Sequence, residues 1–531
     1  MRDIDVVVVG AGFGGLFALH KLRHQGFRAL VVEAGSDVGG TWYWNRYPGC
    51  RCDVESIDYS YSFDPDLEQE WDWSERYASQ PEILAYLNHV ADRYDLRRDI
   101  LFDSRVASAH FDESAGRWTL RTDTGEVISA RWCVMATGCL STPNLPDYPG
   151  VDRYGGRTYH TARWPHEGVD FTGQRVAVIG TGSSAIQAVP LIAEQAVELV
   201  VFQRTPNFSV PAHNHPLGED YLRDVKARYR QLRQENRASF LGTHLVPNDK
   251  AAAVCTEEER RAALEARWAQ GGLGVIGAFP DTMFDRSANE IVAEFVRSKI
   301  RATVADPAVA EALSPRGYAI GSKRVCVDTG YYATFNRDNV RLVDLRATPI
   351  EEFTATGLRT SAETFAFDSV VFATGFDAIS GTLLRIDIRG RAGRTLHDEW
   401  AAGPKAYLGV APAGFPNLFI VTGPGSPSVL SNMAVSIEQH VEWIADCLTY
   451  ARAEGYTTVE ATDDAQEQWM AQVAAVAGIT VWPSGDSWYT GANIEGKVRS
   501  FPIFLGGVGT YRQICDDVAA KGYEGFTLNR S

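Results

Sequence analysis

The sequence predicts an α/β protein of two parallel-sheet units, each opening on a strand, a glycine turn and a helix, with a helical insertion in the second. Three observations carry this. Apolar β-branched runs lead twice into Gly-x-Gly-x-x-Gly/Ala, at residues 10–15 and 180–185. Two further strand-like runs end in Ala-Thr-Gly, in WCVMATG (132–138) and SVVFATGFD (369–377). Between Pro216 and about Gly321 the periodicity changes from strand to helix.

The first unit begins with IDVVVV at 4–9, a short apolar run of the kind that forms a strand buried on both faces. It feeds Gly10, Gly12 and Gly15, then a helix-like stretch from about Gly14 to His24 and a second run, ALVV, leading to Glu33. Strand, glycine turn, helix, strand and acid together are the setting of a Rossmann-like dinucleotide site. The glycines permit the tight turn and let the backbone approach a pyrophosphate at the helix N-terminus. Glu33 is placed to accept hydrogen bonds from ribose hydroxyls.

The second unit repeats the pattern with RVAVI, Gly180, Gly182 and Ala185, an apolar helix and the strand ELVVF. Aligning the first glycines puts Gln203 where the first unit has Glu33, followed by Arg204 and Thr205. Losing the carboxylate removes repulsion toward a 2′-phosphate, and an arginine there offers it a bidentate partner. One site therefore suits FAD or NAD and the other NADP. Two such sites with different ribose readers describe a flavoprotein that takes hydride from NADPH, and the Ala-Thr-Gly strand ends mark where the chain passes between its two nucleotide domains.

In the insertion, YLRDVKARYRQL sets Tyr221, Leu222, Val225, Tyr229 and Leu232 on one helical face, and Thr256 with Glu259 makes a capping box for the next helix. NEIVAEFVRSKI and AVAEAL also read as helices, and strand-like residues resume near 340–345 and 369–373. PNLFIVTGPGSPS then reads as a strand and a Gly/Pro loop, ahead of a long helix from about Asn432. The expected division is an FAD-binding domain at 1–139 and 377–531, an NADP-binding domain at 140–215 and 322–376, and the insertion at 216–321. The segment YGGRTYHTARWP, Tyr154 to Pro165, reads as a connection.

A length of 531 residues suggests three or four domains at about 150 residues each. A formal net charge of −16 argues against nucleic acid as a partner class, because phosphate backbones call for clustered lysine and arginine. No apolar run approaches the ~20 residues that span a bilayer, and MRDIDVVVVGAG enters a strand with no basic-then-apolar leader, so the reading is cytoplasmic. The eight cysteines form no C-x-x-C and no zinc spacing, which implies reduced thiols and no metal site.

Three patterns resemble the type I Baeyer–Villiger monooxygenases, most nearly their phenylacetone and steroid branch. Their F-x-G-x-x-x-H-x-x-x-W-P/D fingerprint reads here Tyr154-x-Gly156-x-x-x-His160-x-x-x-Trp164-Pro165, with tyrosine for the first aromatic ring. A second pattern matches at Gly39, Gly40, Trp42, Tyr47, Pro48, Gly49 and Asp53. The third runs through Lys323, Arg324, Asp328, Tyr331, Tyr332, Asn336, Arg337 and Asp338.

The resemblance implies FAD and NADPH as cofactors, with molecular oxygen and a ketone, bulky or aromatic/cyclic, as partners. The product is an ester or lactone, formed through a C4a-peroxyflavin and a Criegee adduct. It implies that Arg324 keeps the peroxide anionic and stabilises the adduct, since an arginine holds its proton, and that Asp53 positions it. FAD is expected against Gly10, Gly12, Gly15, Glu33, Gly40, Thr41, Trp42, Tyr43, Asp53, Tyr59, Val106 and Met433. NADP is expected against Gly180, Thr181, Gly182, Ser183, Ser184, Ala185, Gln187, Arg204, Thr205, Lys323, Arg324 and Trp488. His160 is expected to couple the two domains from their linker, and Trp164 to fix the linker path. The nearest rival is a flavin-containing N- or S-oxygenase, whose related fingerprint ends without Trp-Pro.

Overall fold

The structure, a computed structural model, describes residues 2–530. Its leading strand, Arg2–Val9, pairs in parallel with Ala29–Val32 on one side and Val127–Met135 on the other. The four inner valines of that strand are buried, as the unbroken apolar run requires. Val127–Met135 changes partners along its length: its first half pairs antiparallel with Arg117–Thr122 and its last residues parallel with Leu418–Ile420. These strands belong to an eight-stranded sheet. A second sheet of five parallel strands runs in the order Val340–Asp344, Glu198–Gln203, Arg175–Ile179, Ser369–Phe372, Arg157–His160.

Both glycine turns open helices as expected, Phe13–His24 and Ser183–Gln195. Gly10 has φ +103°, and a Cβ there would stand 2.6 Å from the Ala136 carbonyl oxygen. The expected capping box forms, with Thr256 Oγ1 accepting the Glu259 N–H and Glu259 returning to the Thr256 N–H at 2.8 Å. Asn432 caps the long helix Met433–Glu454, its side chain accepting the Ala434 N–H at 3.1 Å.

Two expectations need correction. Tyr154–Pro165 is more than a connection, because Arg157–His160 forms the edge strand of the five-stranded sheet. Its outer residues are exposed and it is only four residues long, so it carries no alternating signature. In the helix Glu219–Ala238, Val225 and Tyr229 are buried but Tyr221 is exposed, and the inward face continues through Arg233 and Asn236. These polar residues are inside because they bond to the other unit. Arg233 Nε donates to Glu68 at 2.7 Å and Asn236 Nδ2 to Asp58 at 2.8 Å. The first helix of the insertion thus docks on the first unit, whereas Pro307–Leu313 closes over the second through Gln203 Nε2, which donates to the Ala312 carbonyl at 2.7 Å.

The chain crosses between the two sheets at 139–144 and again at 374–379, and the crossings pair with each other. Asn144 N–H donates to Gly375 O at 2.8 Å, Asp377 N–H to Thr142 O at 2.9 Å and Ile379 N–H to Cys139 O at 2.8 Å.

Candidate active site

A cavity of about 1890 Å³ lies along both glycine turns, well above the roughly 300–1,000 Å³ of an ordinary ligand pocket. Gly10, Gly12, Glu33, Gly40, Thr41, Trp42, Asp53, Tyr59, Val106 and Met433 line its first part. Gly180, Thr181, Gly182, Ser183, Ser184, Gln187, Arg204, Thr205, Lys323, Arg324 and Trp488 line the second. Open space stands where a Cβ of Gly182 would be, which leaves the helix N-terminus bare to a pyrophosphate.

Three expected contacts do not line the cavity. Gly15 packs against the turn, where a Cβ would fall 1.7 Å from Gly10 O, and Ala185 is fully buried at the matching place. The Tyr43 hydroxyl instead accepts the Ser36 N–H at 3.2 Å and bonds the Ser36 hydroxyl at 2.8 Å, holding the loop after Glu33. Gln187 reaches the cavity with its amide already committed. Its Oε1 accepts from the Tyr47 hydroxyl at 2.8 Å and its Nε2 donates to the Arg51 carbonyl at 3.1 Å, tying the second unit's helix to the loop that carries Asp53.

The two positions expected to read a ribose differ in placement. Glu33 is buried and accepts the N–H groups of Ala11 at 2.6 Å and Gly35 at 2.7 Å. Burial holds its carboxyl above the ordinary value while those donors pull it back. Gln203 is turned away into the core, and the residues facing the cavity are Arg204 and Thr205. Lys323 lies over the Tyr318 ring at 5.0 Å. Burial, with repulsion from Arg204 and Arg346, brings the Lys323 ammonium down to about 8, against the pull of Asp486. Sequence reasoning did not single out Arg346. Its place just past the strand Val340–Asp344, on the sheet edge that bears Arg204, is the signal that could have found it.

Where the two parts of the cavity meet, Arg324 Nε donates to Asp53 Oδ2 at 3.3 Å, and Nη1 to the Val429 carbonyl at 3.4 Å. The Val327 N–H holds the other carboxylate oxygen at 3.4 Å. Burial alone would lower the guanidinium's pKa, but the Asp53 charge carries it above its ordinary value, so Arg324 stays cationic. Val429 precedes the cap of Met433–Glu454, so this helix presents its positive end to the same region.

His160 and Trp164 stand outside the cavity, with Ala162 and Arg163 between them lining it. His160 Nδ1 accepts the Ala162 N–H at 3.0 Å, which places the ring proton on Nε2. Nε2 faces the Asn144 carbonyl at 3.3 Å and the Thr374 hydroxyl at 3.2 Å, one from each crossing segment. Burial takes its pKa down to about 4, so the ring is neutral. Trp164 packs on Tyr159 and Phe171 at ring-centre distances of 5.5 and 6.1 Å. All eight cysteines are free and buried, and burial pushes Cys50 and Cys52 up to about 12. Among the described residues no cluster could hold a metal ion, and no helix is long and apolar enough to cross a membrane.

Fold and cavity define a class: oxidoreductases that hold two dinucleotides in one cavity. The comparisons agree. A family model described as pyridine nucleotide-disulphide oxidoreductase matches residues 7–246. The chain is 42% identical over 533 residues to a Baeyer-Villiger monooxygenase of Pseudooceanicola batsensis, covering 100% of this chain and 97% of that protein. A phenazine N-monooxygenase of Lysobacter antibioticus is 41% identical over 529 residues, covering 99% and 97%. A solved structure, oxidized steroid monooxygenase bound to NADP, matches with a TM-score of 0.96 at 54% identity over 100% of both chains. The chain belongs to the type I Baeyer–Villiger monooxygenases, FAD-containing, NADPH-dependent enzymes that convert ketones to esters or lactones.

Proposed function

We propose that this enzyme oxygenates bulky or cyclic ketones at the junction of its two nucleotide parts, with Arg324 as the catalytic cation and Asp53 as its positioning residue. The observation that carries this is the Arg324–Asp53 ion pair, 3.3 Å long and facing the cavity between both glycine turns. Bound FAD, once reduced by NADPH, supplies the oxygen-activating chemistry. The protein's part is to hold a fixed positive charge where an oxyanion develops on the ketone carbon. Arginine suits that place because its proton is not given up and its planar fork is held by two acceptors, Asp53 and the Val429 carbonyl.

An apolar cluster beside Arg324 supports a bulky, weakly polar substrate. Val429, Tyr489 and Ile503 form its core, with Leu140, Met433 and Trp488 packed against it. The 54% identical steroid monooxygenase points the same way. Sheet membership supports the division into 1–139 with 377–531, 140–215 with 322–376, and the insertion at 216–321. Glu33 and the first turn are read as the FAD site, and Arg204, Lys323 and the second turn as the NADP site. The neutral His160 ring is read as fixing the two crossings relative to each other. A cytoplasmic location fits the eight free thiols.

The test is a panel of linear, cyclic, aromatic and steroid ketones scored for ketone-dependent NADPH oxidation, with esters or lactones identified by mass. An N-heteroaromatic belongs in the panel, because a phenazine N-monooxygenase is 41% identical. Oxygenation of that compound alone would overturn the ketone reading.

A further inference from the structure

Between the strand Leu418–Ile420 and the long helix Met433–Glu454 the chain passes through 421–432, and Val421, Thr422, Val429 and Ser431 of this stretch line the cavity. Thr422 lies in the left-handed region with φ +56°, and Ser428 with φ +42°. A β-branched residue enters that region only under strain, because its Cβ substituents crowd the backbone, so the surrounding structure must hold Thr422 there. The group that does so is His440, fully buried within the long helix, whose Nδ1 accepts the Thr422 N–H at 2.8 Å.

The other ring nitrogen fixes the tautomer. The Tyr511 hydroxyl donates to the Leu408 carbonyl, so its oxygen is left to accept, and His440 Nε2–H donates to it at 2.8 Å. Leu408 is itself left-handed, with φ +52°. Tyr511 comes from the helix Val508–Ala520 and packs on Trp469 and Phe504 at ring-centre distances of 6.1 and 6.0 Å. Beyond Thr422 the contacts run on toward the ion pair. The Ser428 hydroxyl donates to the Thr422 carbonyl at 3.4 Å, and the next residue, Val429, supplies the carbonyl that accepts from Arg324 Nη1 at 3.4 Å. One imidazole, held in one tautomer, thus joins two strained turns and stands a single loop away from Arg324. A leucine would fill much of the same space but leave the buried Thr422 N–H without a partner.

We propose that His440 is a positioning residue for ketone oxygenation: by holding Thr422 in its left-handed turn it sets the loop whose Val429 carbonyl orients the Arg324 guanidinium. This rests on reading Arg324 as the catalytic cation. Tyr511 serves His440 by keeping the ring proton on Nε2, so that Nδ1 meets the Thr422 N–H as an acceptor.

The test compares FAD-loaded His440→Leu, His440→Asn and Tyr511→Phe with wild type. In His440→Leu the ester-forming rate falls about tenfold, the loss of one buried hydrogen bond, while NADPH reduces the flavin within about twofold of the wild-type rate. Hydrogen peroxide takes up the difference. Without turnover, hydrogen–deuterium exchange quickens in a peptide spanning 421–432 and stays unchanged around Gly180. His440→Asn, whose amide oxygen can stand in for Nδ1, recovers most of the ester, and Tyr511→Phe falls between the two. Should His440→Leu fail to fold, Tyr511→Phe decides: a shift from ester to peroxide supports the inference, and wild-type proportions overturn it. Equal losses of flavin reduction and ester formation would also overturn it, since His440 would then only hold the fold. Ester lost in Arg324→Ala but kept in His440→Leu would sink this inference alone, whereas ester kept in Arg324→Ala would remove the reading beneath it.

Discussion

The two glycine turns share a backbone plan and differ at the residue that closes each unit's second strand. In the first unit the position holds Glu33, buried, with the N–H groups of Ala11 and Gly35 on its oxygens. In the second it holds Gln203, turned inward to the Ala312 carbonyl, and the next residue, Arg204, takes over the cavity wall. One reader is thus a preorganised acceptor built into the turn it serves. The other is a loose group of cations drawn from three separated stretches. The first suits a nucleotide that stays bound, because its acceptor is held by the fold. The second suits one that comes and goes, because its cations are held by no carboxylate among the described residues and gain most when a phosphate arrives.

The place where the two parts meet is where the comparison is tested hardest. Removing Arg324, a contact to a developing oxyanion, costs about 3–4 kcal/mol, or a few hundredfold in ester formation. Arg324→Ala is expected to retain FAD and to release hydrogen peroxide from whatever NADPH it still oxidises. Arg324→Lys is expected not to rescue, because an ammonium lacks the fork and can lose its proton. Ester formation near the wild-type rate in Arg324→Ala would make that residue structural.

The next effect is at the fixed reader. Glu33→Ala strips the acceptor from two buried N–H donors, each worth about 1–3 kcal/mol when left unpaired. The purified variant is expected to be largely colourless and to melt well below wild type. Full FAD occupancy in that variant would erase the contrast drawn between the turns. Arg204→Ala is milder, raising KM for NADPH roughly tenfold while NADH use moves little. A parallel rise in KM for NADH would show that the second reader is not selective.

The smallest expected effect is a pH gradient at the crossing. The His160 pKa is lowered in the fold, from 6.5 to about 4, first by burial. The unfolded chain therefore takes up that proton earlier, so the contribution of His160 is complete above about pH 6.5 and is lost as pH falls toward about 4. At about pH 5.5 this amounts to about 1 kcal/mol. His440, buried between the Thr422 N–H and the Tyr511 hydroxyl and brought down to about 3, acts in the same direction. Urea midpoints of wild type and His160→Asn compared from pH 7 to 5 isolate the His160 part. Parallel curves would mean that the ring is not held neutral at the crossing.

Much of this site was legible because its determinants are local. Strand, turn and helix around Gly10 and Gly180 follow from apolar runs and from glycines that no other residue can replace at that approach, and Glu33 and Arg204 sit at fixed offsets from them. The Lys323–Arg324 pair came from the motif it shares with the family. Other features depend on what the fold brings opposite what. The sequence shows no strand at Arg157–His160, because four residues on a sheet edge have no period, and only pairing with Ser369–Phe372 defines it. Gln187 lines the cavity, and only the packed helix shows that its amide also ties Tyr47 and Arg51. Arg346 becomes a neighbour of Arg204 only when Val340–Asp344 takes its place beside Glu198–Gln203. Sequence by itself determined the two glycine turns and the charge of the side chain that follows each second strand, since short-range sterics and residue chemistry suffice for that. Tertiary structure alone decided which distant side chains share one cavity, because strand order and crossing geometry are set by burial of the whole chain and not by any one segment.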